Sequence, residues 1–156
     1  LRRPFNFGCF SFDLGAHLIM KKNLMLESIP DRVNRPGFVK SGPEMQHYRK
    51  GFEDCVEHRR PILAFVRSIP VAGEPSHVVN IMDAGRKWIV EGRGKDTPKL
   101  FISVEPGTMT EEDRGFIRSW KNVEEVALYG KHMVTEDCPD KVGEAIRSWF
   151  QGFKKS

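Results

Sequence analysis

Residues 123–150 read VEEVALYGKHMVTEDCPDKVGEAIRSWF, and this stretch decides the fold. Val126-Ala127-Leu128-Tyr129 has the apolar, β-prone character of a short buried strand, and Gly130 gives the chain freedom to turn. His132 follows in that turn. Cys138-Pro139-Asp140 then opens a helix, with proline at the first helical position and Asp140 and Glu144 near the positive end of its dipole. Val142, Ile146, Trp149, Phe150 and Phe153 recur at helical spacing, which predicts one core-facing stripe. A histidine on a loop between a buried strand and a packed helix stands where a general base would.

Upstream the same pattern occurs once more. Lys99-Leu100-Phe101-Ile102-Ser103-Val104 is an apolar run of strand length, as in a parallel sheet covered on both faces. Glu105-Pro106-Gly107 turns the chain, and Thr110 followed by Glu111, Glu112 and Asp113 marks a capped, acid-rich helix start. That helix carries Phe116, Ile117 and Trp120. Before the strand, Pro75 to Val90 reads as a helix with Val78, Ile81, Met82, Gly85 and Trp88-Ile89 on one stripe, closed by Gly92, Gly94 and Pro98. The order helix, strand, helix, strand, helix predicts βαβ connections and a parallel sheet. Two strands make a thin sheet, so this pattern calls for more strands than the sequence holds.

The first half is more broken. Residues 1–11 have no clear period. Phe12 to Met25 reads as an amphipathic helix with Leu14, Leu18, Ile19 and Met25 on one face. Ile29 to Phe38 is an irregular connection marked by Pro30, Asn34, Pro36 and Gly37. Ser41-Gly42-Pro43-Glu44 starts a short helix bearing Met45, Tyr48 and Phe52. Arg59-Arg60-Pro61 ends that region, and Pro70 to Pro75 is a linker.

With 156 residues, 39% hydrophobic and 29% charged, the chain has the composition of one soluble globular domain. Its formal charge of +4 is spread without a basic stripe, so no nucleic-acid partner is expected. No apolar run approaches a membrane span, and the start lacks the shape of a signal peptide, so no membrane partner is expected either. Cys9, Cys55 and Cys138 form no CxxC pair and no zinc-ligand spacing. Reduced thiols, a cytoplasmic setting, no metal and no cofactor are the expectations.

Beyond these physical patterns, an ordered set of short motifs resembles the C-terminal part of the α/β-hydrolase fold, in its haloalkane dehalogenase family. The motifs are Arg59-Arg60-Pro61, Ile69-Pro70-Val71-Ala72-Gly73-Glu74-Pro75, Pro98-Lys99-Leu100-Phe101-Ile102, Glu105-Pro106-Gly107, and His132 with Glu136-Asp137, Pro139-Asp140, Gly143 and Ile146. Asn23 to Phe52, including Glu44-Met45-Gln46-His47-Tyr48-Arg49, resembles the later helices of that family's cap. The resemblance implies an α/β chain of three parts: an unmatched terminus (1–11), a partial helical cap (12–70), and the end of the core with its last two parallel strands (71–156).

It also implies a chemistry. An aspartate displaces halide from carbon, and the resulting alkyl-enzyme ester is hydrolysed by water that a histidine activates. His132 matches that general base. Glu105, at the end of the Lys99–Val104 strand, is a candidate for the acid that orients it, against the plainer role of a turn residue. Met109 and Met133 would line a pocket for an apolar, halogenated-alkane-like substrate, against the plainer role of core filler. The family's nucleophile sits on a G-x-D-x-G-type elbow between strand and helix. These residues contain none, Asp13-Leu14-Gly15 being only a fragmentary likeness. A chain that completes the sheet is therefore an expected partner. Renilla-type coelenterazine luciferases share many of the same motifs, and a luciferase-like oxygenase or a non-catalytic fragment are the alternatives. Ala72-Gly73-Glu74-Pro75 favours the hydrolase branch. Glu136 and Asp137 read as dipole complementation and capping before the last helix. Cys138 stands where Ser or Asn would cap better.

Overall fold

A computed structural model describes residues 13–153. The order is α1 (Asp13–Met20), α2 (Leu24–Glu27), α3 (Pro43–Lys50), α4 (Arg60–Arg67), α5 (Ser76–Val90), β1 (Lys99–Pro106), α6 (Glu111–Arg118), β2 (Val123–Gly130), α7 (Val134–Asp137) and α8 (Pro139–Gly152). The chain forms two compact units. Among the described residues, one contains 13–29 with Val39–Ala84, and the other contains Pro30–Phe38 with 85–153.

The first unit is helical. Its core is Ile19 of α1 against Leu63 and Val66 of α4, flanked by Ala16, Met20, Leu24, Met25 and Ile62. Two expectations need correction here. The helix expected over 12–25 breaks after Met20, because Asn23 takes a left-handed conformation (φ 52°) before α2 begins. Asn tolerates that region better than most residues. Phe12 lies outside the described residues, and Leu14 faces solvent rather than the core. The second correction is larger. Arg60-Pro61 does not end a region but opens α4, with Pro61 in its first turn. Proline there gives up only an amide that has no partner in the helix anyway. Ile62, Leu63 and Val66 then fall one helical turn apart and supply the core. Met45 of α3 is fully buried, as its spacing predicts. A bidentate Arg49–Glu27 pair, at 2.8 and 2.6 Å, joins α3 to the end of α2.

The second unit contains the sheet that positions the site. β1 and β2 pair in parallel, in the register Lys99↔Val123 through Glu105↔Tyr129 to Pro106↔Gly130. Both strands run longer than their apolar runs alone suggest, because flanking residues complete the ladder. Helix α6 makes the crossover and packs on β2, and α8 packs on both strands. The expected cap of α6 is a full capping box: Thr110 accepts from the Asp113 amide while the Asp113 carboxylate accepts from the Thr110 amide. Replacing Thr110 by alanine is expected to cost about 1 kcal/mol, read as roughly five-fold faster hydrogen exchange at the Asp113 amide.

The helix stripes are covered unevenly. Ala145 of α8 is buried and Val142 and Trp149 are half-buried, but Ile146, Phe150 and Phe153 of the expected core stripe lie open. Helix α5 has the expected span, yet none of its residues is buried, and Ile81, Met82 and Trp88 are more than half exposed. The periodicity marks the sides that need a cover, and the described residues supply only part of it.

Candidate active site

The parallel register brings two loops together at the carboxyl ends of the strands, where open α/β sheets place their ligands. Pro106 and Gly130 are paired, and the Gly107 amide extends the pairing by donating to the Gly130 carbonyl at 3.2 Å. Gly107 has a positive φ of 48°, and a Cβ there would fall 2.2 Å from the Val104 carbonyl oxygen, so only glycine fits this exit from β1. Two residues beyond the paired ends stand Thr108 on one loop and His132 on the other. Thr108 Oγ1 lies 3.3 Å from His132 Nδ1, and His132 is exposed. A hydroxyl at Nδ1 restrains the ring and leaves Nε2 available to another partner.

Met109 follows Thr108 and is 39% exposed, while Met133 follows His132 and is half-buried. Both methionines therefore flank the Thr108–His132 pair in sequence. Glu105 is placed otherwise. Its carboxylate pairs with Nη1 of Arg114, a side chain on α6 that is 7% exposed and also donates to the Val104 carbonyl at 3.0 Å. Among the described residues the group on His132 Nδ1 is Thr108, and Glu105 serves to neutralise a buried guanidinium. Beyond this site, Arg118 bridges Glu111 and Glu125. Hydrogen bonds from Arg118 and Ser103 hold the Glu125 carboxyl down to about 2.

Two residues that sequence reasoning treated as helix caps have other contacts. Asp137 ends α7 and accepts from the Lys131 amide at 2.6 Å, the Arg35 amide at 3.1 Å and the Asn34 amide. Its expected role in dipole complementation is thus replaced by one across the fold. Gly130 has no left-handed conformation, so turning is not why glycine stands there. A Cβ at Gly130 would lie 2.8 Å from Asp137 Oδ2, so glycine makes room for that carboxylate. Cys138 precedes α8 without a side-chain cap bond, as its chemistry predicts, and its thiol lies 3.8 Å from the Tyr129 carbonyl. Cys55 and Cys138 are free thiols, and Cys9 lies outside the described residues. Among the described residues no group of three or more His, Cys, Asp or Glu side chains could hold a metal ion, and no helix is long and apolar enough to cross a membrane.

Against known proteins, no family model matches the chain. It is 37% identical over 138 residues to a haloalkane dehalogenase of Mycolicibacterium smegmatis, covering 86% of this chain and 42% of the relative. With a haloalkane dehalogenase of Sphingobium indicum the identity is 38% over 145 residues, covering 92% of this chain and 47% of that one. The fold is similar to the crystal structure of haloalkane dehalogenase DbeA from Bradyrhizobium elkani, with a TM-score of 0.84 and 27% identity, over 96% of this chain and 50% of the other. The chain spans about half the length of the relatives it matches.

Proposed function

Given that this chain carries the C-terminal part of the α/β-hydrolase fold in its haloalkane dehalogenase form, we propose that it supplies the histidine half of a carbon–halogen hydrolase. The observation that carries the proposal is the Thr108–His132 pair at the carboxyl ends of two parallel strands. In this proposal His132 Nε2 takes a proton from water, and the hydroxide attacks the carbonyl carbon of an alkyl ester formed on an aspartate. The alcohol product leaves, and the carboxylate is restored. Halide has already departed in the alkylation step, which needs no base. Thr108 holds the ring, and Met109 and Met133 give the substrate an apolar surface. Glu105 stays a candidate acid only through rearrangement of its Arg114 pair.

No nucleophile elbow occurs in these residues, so the 156-residue chain by itself is not a complete catalyst. The division into partial cap (12–70) and core end (71–156), a halogenated-alkane-like substrate, a sheet-completing chain segment and a cytoplasmic setting belong to the same proposal. An antibody against residues 135–155 would identify the native protein in its source cells. Halide release from a bromoalkane by that protein is the expected activity, and its absence there would overturn the proposal. Thr108→Val in the same protein removes one hydrogen bond, of about 1 kcal/mol, and is expected to slow turnover roughly five-fold.

A further inference from the structure

The turn that bears His132 is fastened on both sides to one distant segment, Pro30–Phe38. On one side the Met133 amide donates to the Arg32 carbonyl at 3.1 Å, and Lys131 Nζ reaches the Val33 carbonyl at 3.2 Å. On the other side stands the Asp137 carboxylate. Its Oδ2 accepts from the Lys131 amide, directly before His132, and its Oδ1 accepts from the successive amides of Asn34 and Arg35. The contacts with Pro30–Phe38 span about a hundred residues of sequence, and all the residues involved fall within one compact unit. Hydrogen bonds from amides to a carboxylate are short and strong relative to neutral ones. Gly130 leaves the space in which the carboxylate sits.

We propose that Asp137 is a positioning residue for His132, tying the turn 130–132 to the Pro30–Phe38 segment through three backbone amides, so that the base keeps its reach to water. This deepens the assignment of His132 as general base and rests on it. Asp137 touches neither substrate nor reacting atoms. Its effect falls on ester hydrolysis, the step that uses His132, and spares alkylation. A misplacement of the order of 1 Å is enough to slow such a step about 100-fold.

The test uses the native protein that contains this sequence, with a bromoalkane as substrate. Asp137→Ala is expected to lower kcat by roughly 10- to 100-fold and to raise the fraction of protein held as alkyl ester in the steady state. Exchange of the amides in 34–35 and 131 becomes faster. Asp137→Asn retains one acceptor oxygen and should fall between. Gly130→Ala crowds the intact carboxylate and should show the same signature if Asp137→Ala does not fold. Faster amide exchange with an unchanged kcat and ester fraction would reduce Asp137 to a structural tie and overturn the proposal. If His132→Ala itself fails to accumulate ester, the assignment of the base fails instead, and the exchange measurement still reports on the tie.

Discussion

Replacing His132 by alanine in the native protein is expected to lower steady-state halide release from a bromoalkane by about 100- to 10,000-fold, the range that general acid–base catalysis contributes. The form of the loss matters more than its size. Alkylation of the nucleophile requires no base, so each active site should still release one equivalent of halide in a burst and then stop. A variant impaired in substrate binding would show no burst at all. The Thr108 contact fits His132's part in the hydrolytic step, since a hydroxyl on Nδ1 leaves Nε2 for water.

The second large effect concerns the 156-residue chain expressed alone. Its sheet has two strands, so each has a backbone edge with no partner strand among the described residues. Apolar side chains are also open: Tyr129 of β2 is 71% exposed, Phe150 of α8 59% and Trp88 of α5 54%. Unpaired strand edges and broad apolar surface recruit other chains. The isolated chain is expected to associate with rising concentration in analytical ultracentrifugation, to bind a hydrophobic dye strongly, and to release no halide. A monomer that unfolds in one sharp thermal transition would contradict this expectation. If a further chain segment completes the sheet, as proposed, its presence should suppress both association and dye binding.

The local features of the second unit were legible in the sequence because they depend on short-range chemistry. The apolar run Lys99–Val104, the capping box at Thr110 and Asp113, and proline at the start of α8 each have a signature within a few residues. The same reasoning misread Arg60-Pro61, where proline can either end one element or open the next. The decisive signal was the spacing of Ile62, Leu63 and Val66, which identifies α4. Asn23 shows a different limit, since an asparagine inside a helical period is not visibly a break until its conformation is known. The stripes on α5 and α8 lie largely uncovered for a third reason. Periodicity reports which side of a helix is apolar, but not whether the same chain covers it. The contacts of Asp137 left almost no signature, because backbone amides of Asn34 and Arg35 would be the same for almost any residue type. Glycine at 130 was the one visible clue, and its reason was space for a carboxylate rather than a turn.

The most direct test of the account is peptide mass spectrometry of the native protein carrying His132→Ala after brief exposure to a bromoalkane. An alkyl mass on one aspartate outside these 156 residues, absent from the protein with His132 intact after turnover, is the predicted result. Sustained halide release by the variant, or an alkyl group attached within these 156 residues, would contradict it.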